Sequence, residues 1–170
     1  MAVLGIIGLG KEVVLIVKSR VEVIVNADVF QSPDLQSISH AMTRDSLGEA
    51  GKVVWDFLHL CAERRYEEAN AFLVPGCVME FPGGLKFRDC RELSQRSSTV
   101  YRWVAKVFER FEEYATADGT VVYNFGTLFG QWLDGTPFEG IRYIDRFVIQ
   151  DGKIADQKVW NDLAVAAARR

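Results

Sequence analysis

Two hydrophobic periods alternate along this chain. After Ser46 the apolar residues Val54, Phe57, Leu58 and Cys61 recur at helical spacing, and Ser46-Leu-Gly-Glu49 has the form of a capping box; together they predict an amphipathic helix over about 47–65. A short second helix is expected from Tyr66 to Leu73, stopped by Val74-Pro75-Gly76. The run "CVMEF" at 77–81 then reads as a brief strand closed by Pro82-Gly83-Gly84. A second capping box, Asp89-Cys-Arg-Glu92, opens a pattern in which Val100, Trp103, Val104 and Val107 share a helical face, so a long helix is expected through about Arg110.

Beyond that point the period changes to two. Three Asp-Gly pairs, at 118–119, 134–135 and 151–152, separate segments rich in Val, Ile, Phe and Tyr. Asp-Gly between such runs is a strong hairpin signal, so the segments 110–117, 120–133, 137–150 and 153–163 are expected to form an antiparallel meander. Helices followed by a meander imply an α+β domain with helices packed on one side of a curved sheet. The expected organisation is an N-terminal apolar appendage (1–29), a polar linker (30–45), the domain (46–165) and a short tail (166–170).

The appendage raises a separate question, because "GIIGLG" followed by Asp28 resembles the start of a dinucleotide-binding unit. Gly8 and Gly10 fit the first two glycines of that fingerprint, but Val13 stands at the third, and "KEVVLIVKSR" is rich in β-branched residues where a helix is required. No series of βαβ units follows, so neither a nucleotide nor any other cofactor is expected, and the segment reads as a β-rich appendage.

Composition narrows the function. The chain of 170 residues is 49% hydrophobic, with a net charge of −3 and scattered Lys and Arg, which offers no footprint for a nucleic acid. Three cysteines, Cys61, Cys77 and Cys90, form neither an even disulfide framework nor zinc-spaced pairs, and the two histidines lie far apart, so reduced thiols, a cytoplasmic location and no metal are expected. Lys11, Glu12, Lys18 and Arg20 interrupt the apolar N-terminus, so neither a membrane span nor a secretion signal is expected.

Alternation along "IRYIDRFVIQ" places Ile141, Tyr143, Asp145, Phe147 and Ile149 on one face of a strand, so Asp145 stands in an apolar and aromatic row. Such a carboxylate is desolvated, which raises its pKa and can keep it protonated near neutral pH as a hydrogen-bond donor. It could instead pair with an arginine such as Arg146, or face solvent. Glu80 is a second acid in an apolar strand; it could face the same concavity as a base, or point to water from an edge strand. Asp56, beside Trp55, belongs either to the pocket or to the solvated face of the first helix, and His59 is either a base or a structural partner. Tyr123, Phe125, Trp132, Tyr143 and Trp160 could line an apolar pocket or fill the core.

From about 46 to 165 the order of elements, "CVMEFPGG" and "YIDRFVIQDGKI" followed by "KVWNDL" resemble the nuclear transport factor 2-like superfamily, in its SnoaL-like (polyketide cyclase) and ketosteroid isomerase-like branches. The resemblance implies a cone in which helices and a curved antiparallel sheet enclose an apolar cavity. It gives Asp145 the place of the acid that hydrogen-bonds an enolate, Glu80 that of the proton-shuttling carboxylate, and Trp160 that of an aromatic pocket wall; Tyr143 and Phe147, on the Asp145 face, are expected in the same pocket. Where the isomerases carry an oxyanion-hole tyrosine on the first helix, this chain reads "VWDFL", with Trp55 or Asp56 near the position. The implied function is cofactor-independent acid–base chemistry, an isomerisation, cyclisation or dehydration, on a hydrophobic carbonyl or polyketide-like compound. The alternative is a non-catalytic member that binds a ligand or a protein. A homodimer is expected, because a sheet exposed on one side commonly pairs with its copy.

Overall fold

The computed structural model describes residues 3–9, 12–17 and 20–22 as backbone, and residues 42–170 in full. The chain divides after Thr43 into two units. In the first, β1 (Val3–Leu9) and β2 (Glu12–Val17) form an antiparallel hairpin with Leu9 opposite Glu12, and β3 (Arg20–Glu22) pairs with β2. A strand thus follows the glycine-rich stretch where a dinucleotide fold needs a helix. Most of the expected linker, as far as residue 41, lies outside the described residues.

The second unit contains α1 (Glu49–Ala62), α2 (Tyr66–Asn70), β4 (Leu73–Phe81), β5 (Leu85–Phe87), α3 (Cys90–Ser97), β6 (Tyr101–Thr116), β7 (Gly119–Trp132), β8 (Pro137–Gln150), β9 (Lys153–Asn161) and α4 (Leu163–Ala168). The strands form one six-stranded sheet in the order β5-β4-β9-β8-β7-β6, antiparallel except for the β4–β9 pair. The sheet is curved and open, with the fold class α+β. Register shifts place an extra residue at Glu109 of β6, at Glu139–Gly140 of β8 and at Ala155 of β9, the kind of irregularity that bends a strand. At the β8–β9 turn Gln150 faces Lys153, and Asp151 and Gly152 have φ of 48° and 72°, the backbone a tight two-residue hairpin requires.

Two sequence expectations change here. The long helix does not extend to Arg110: α3 stops at Ser97, and Tyr101–Thr116 is the longest strand of the sheet. The Asp89 side chain caps α3 as expected, accepting from the N–H groups of Arg91 and Glu92. At the other end the hydroxyls of Ser98 and Thr99 turn back onto the carbonyls of Gln95 and Arg96, competing with helix continuation. The following β-branched and aromatic residues then pair along β7.

At α1, Ser46 does not cap the helix; Arg44–Ser46 forms a 3-10 turn and the N-cap is Gly48. The cap comes from β6, 65 residues away, where the Glu113 carboxylate accepts from the Gly48 N–H at 2.8 Å. A carboxylate at this end also opposes the positive pole of the helix.

The helices cover the inner face of the sheet. Val54, Phe57 and Leu58 of α1 pack with Met79, Val122, Phe147 and Ile154 in the main core. There the Phe57 and Phe147 rings meet edge to face at 6.0 Å. Leu128, Trp132, Ile141 and Tyr143 form a second core, joined by Leu163 and Ala166 of α4. Among the described residues no helix is long and apolar enough to cross a membrane.

Candidate functional site

Strand alternation sorts the charged residues of the sheet. On β8, Ile141, Tyr143, Asp145, Phe147 and Ile149 are buried, and this face turns to the helices. In register with it, β7 presents Asn124, Gly126 and Leu128. The bulge at Glu109 keeps β6 in phase, so that Val104, Lys106, Phe108, Phe111 and Glu113 face inward.

Asp145 and Lys106 meet on this inner surface. Asp145 is fully buried, and Lys106, whose side chain is 26% exposed, donates from its ammonium to Asp145 Oδ2. The Oδ1 atom is buried with no hydrogen-bond partner. Burial pushes the Asp145 carboxyl above its ordinary value, and the neighbouring Lys106 charge opposes that rise. The same ammonium lies 4.0 Å from the centroid of the Tyr143 ring, a cation–π contact. The Tyr143 hydroxyl donates to Asn124 Oδ1 at 2.7 Å. Burial, followed by the Asp145 charge, raises the pKa of Tyr143, so it stays a neutral donor.

Gly126 makes room for this crossing. It stands between Phe108 and Tyr143 in register, and a Cβ there would lie 3.0 Å from Tyr143 Cε1 and 1.9 Å from the Val107 carbonyl oxygen. The missing side chain lets the tyrosine lie across β7 to reach Asn124. Lys106 and Asp145, one strand apart on either side of β7, can then meet.

An aromatic wall adjoins the pair. Phe108, two residues from Lys106 on the same face, lies 5.2 Å from Trp55 and 5.6 Å from His59, centroid to centroid. Trp55 and His59 stack at 4.6 Å, and His59 Nδ1 donates to the Trp55 carbonyl at 2.8 Å, which fixes the ring against the helix.

The expected site is therefore only partly assembled. Asp145, Tyr143, Trp55 and His59 fall on or beside one inner surface. Phe147 is wholly buried in the core against Phe57 and lines no opening. Asp56 points away and forms a two-pronged ion pair with Arg44, at 2.7 and 2.8 Å.

Glu80 is not brought to Asp145. On β4 it is Met79 that turns inward and is buried, so Glu80 points to the opposite face, in register with Lys86 and Lys158. It lines a small surface cleft with Pro82, Lys158 and Trp160. Tyr123, Phe125 and Trp160 also lie on that outer face: Tyr123 pairs with Arg146, Phe125 with Ile144, and Trp160 with Ile144. The two-carboxylate arrangement expected from the sequence does not form, because the strand period sends the two acids to opposite sides of one sheet. Lys106 is the residue that sequence reasoning missed. The period-two signal Val104, Lys106, Phe108 was present but was masked by the helical reading of the same stretch.

Among the described residues no group of three or more His, Cys, Asp or Glu side chains could hold a metal ion. The sequence matches no protein-family profile and no curated protein. Solved structures do resemble it. A nuclear transport factor 2-like protein of unknown function from Burkholderia pseudomallei K96243 is 12% identical, with a TM-score of 0.61, over 72% of this chain and 97% of its own. TerC, co-crystallised with polyporic acid, is 18% identical with the same score and coverage. A protein assigned as a SnoaL-like polyketide cyclase from Jannaschia sp. CCS1 is 14% identical, with a TM-score of 0.54, over 71% of this chain and 90% of its own. The second unit thus has the nuclear transport factor 2-like fold.

Proposed function

We propose that the chain is a cofactor-independent enzyme that moves a proton at carbon alpha to the carbonyl of a hydrophobic, polyketide-like compound. One observation carries this reading: a fully buried carboxylate, Asp145, with one oxygen unpartnered and the other on a single ammonium, among aromatic side chains. A desolvated carboxylate is a stronger base than one in water. Asp145 takes the proton, and Lys106 places its charge on the oxygen where negative charge develops. Lys106 is the more exposed member of the pair, so an incoming carbonyl meets its Nζ first and draws it from Oδ2, which uncovers the base. The Trp55–Phe108 wall accepts the apolar part of the ligand. This arrangement replaces the Glu80–Asp145 pair, and Glu80 takes no part. TerC, a protein of the same fold co-crystallised with polyporic acid, supports a small organic ligand.

The test is deuterium exchange into a panel of enolisable aromatic and alicyclic ketones, followed by NMR. The wild type exchanges, and Asp145→Asn and Lys106→Met each slow exchange by roughly 10²–10⁴-fold, the usual contribution of a positioned acid or base. An Asp145→Asn protein that folds and exchanges at the wild-type rate overturns the assignment. If no panel member exchanges in the wild type but one binds, the binding-protein alternative takes over.

The outer face of the sheet is the second part of the proposal. Tyr114, Ile144 and Trp160 are exposed there, and Tyr123 stacks on Phe125 at 6.1 Å. An apolar and aromatic surface on a sheet, edged by Glu80 and Lys158 of opposite charge, suits a second copy of the same chain related by a two-fold axis. With a net charge of −3, the chain favours such a partner over a polyanion.

A further inference from the structure

A pair of thiols lies beside the candidate site. Cys61 sits in the last turn of α1, Cys90 is the first residue of α3, and their sulfurs are 3.8 Å apart. We infer that Cys61 and Cys90 are an oxidisable pair that closes to a disulfide linking α3 to the end of the helix that carries Trp55 and His59.

Three observations support this. The first is the separation itself, van der Waals contact between sulfurs, so a bond of about 2.05 Å needs a shift smaller than a bond length on each side. The second is that the frame holding Cys90 is fixed. Its N–H donates to Asn70 Oδ1 at 3.0 Å, Asn70 donates to Asp89 at 2.6 Å, and the Tyr66 hydroxyl bonds Ser94 of α3 at 2.6 Å. The backbone that carries the Cys90 thiol is therefore anchored to α2. The third is exposure: Cys90 is 2% exposed, whereas Cys61 is only partly buried, so an oxidant reaches Cys61 first.

The chemistry is balanced with a hydroperoxide as oxidant. The Cys61 sulfur attacks the peroxide O–O bond, giving a sulfenic acid and releasing water or an alcohol. The Cys90 sulfur then displaces the sulfenic oxygen as water, and the S–S bond forms. The two sulfurs together lose two electrons, and the peroxide gains them. The bond to Cys90 and burial raise the pKa of Cys61, so its thiol stays protonated and the pair responds to sustained rather than brief oxidant exposure.

The link would act on the site through α1, because Cys61 lies two residues after His59 on the helix whose Trp55 and His59 form the aromatic wall with Phe108. Closure draws the last turn of α1, one turn beyond Trp55 and adjoining His59, toward α3. This part rests on the function proposed above.

The experiment incubates the full chain with hydrogen peroxide, alkylates it under denaturing conditions and maps its peptides by mass spectrometry. The expected product is a Cys61–Cys90 peptide pair lighter by two hydrogens, with Cys77 still alkylated, and restored by dithiothreitol. Cys61→Ser and Cys90→Ser each abolish it, and Cys77→Ser leaves it. Thiols that remain reduced, a link through Cys77, or over-oxidation of Cys61 without a link overturns the inference. Exchange by the oxidised protein should fall at least tenfold and recover on reduction; a link that forms with no change in rate refutes the control of the site. An absent exchange activity in the reduced protein defeats the functional reading while leaving the mapped link intact.

Discussion

Removing Lys106 orphans a buried charge, and the cost can be bounded from Asp145 alone. In Lys106→Met the carboxyl loses the one partner it has among the described residues, and the folded chain then either holds an unpaired anion or protonates it. Breaking a buried pair in this way typically costs about 3–5 kcal/mol. Protonation sets the ceiling. Starting from the ordinary value of 3.8, neutralising an aspartate costs about 4 kcal/mol at pH 7 and under about 2 kcal/mol at pH 5. The sign follows from the direction of the shift. A carboxyl whose folded pKa is raised binds more protons folded than unfolded, so its contribution is fully present below 3.8 and is lost as pH rises through the folded pKa. Lys106→Met raises that folded pKa further and extends the loss to higher pH. Urea denaturation between pH 5 and pH 8 should therefore show Lys106→Met close to wild type at the acid end and increasingly less stable toward pH 8, by at most about 1.4 kcal/mol per pH unit. Adding Asp145→Asn should remove most of that pH dependence. A Lys106→Met deficit that stays constant across the range, or a double variant that keeps the slope, would show that the pair is not coupled as drawn.

Three further outcomes follow from other contacts. Gly126→Ala places a Cβ against the Val107 carbonyl and the Tyr143 ring, and should cost roughly 1–3 kcal/mol in a urea titration; a change under about 0.5 kcal/mol removes the close-approach argument. Glu113→Ala withdraws the cap of α1, and thermal unfolding by circular dichroism should register a loss of about 1 kcal/mol; an unchanged melting curve removes the capping argument. Trp160→Glu on the outer face should halve the mass measured by size exclusion with light scattering while leaving ketone exchange in place; a wild type that is monomeric at micromolar concentration defeats the two-fold proposal.

Much of the fold follows from local patterns. The Asp-Gly turns and the alternation of β7 and β8 carry their own registers, because a strand's two faces differ at every second residue and a tight hairpin joins only neighbours. The same local logic failed at β6. Val100, Trp103, Val104 and Val107 match a helical face, yet in the strand Val104 faces inward while Trp103 and Val107 face outward. What decided between the readings was β7, whose edge needed a partner, and no property of the stretch itself shows that demand.

The candidate site divides along the same line. The sequence by itself determined that Asp145 shares one face of β8 with Ile141, Tyr143, Phe147 and Ile149, because side chains alternate along a strand; the structure decided that this is the covered face and not the solvated one. Only the tertiary structure decided what faces it. Lys106 lies 39 residues away, and its approach depends on the register of two strand pairs, a bulge at Glu109 that keeps the faces in phase, and an empty position at Gly126. Glu80 shows the converse. Its apolar neighbours suggested a site acid, but side follows from which neighbour is buried, and Met79 takes the core. Charge pairing across a sheet is a property of register, and register is settled by many strands at once.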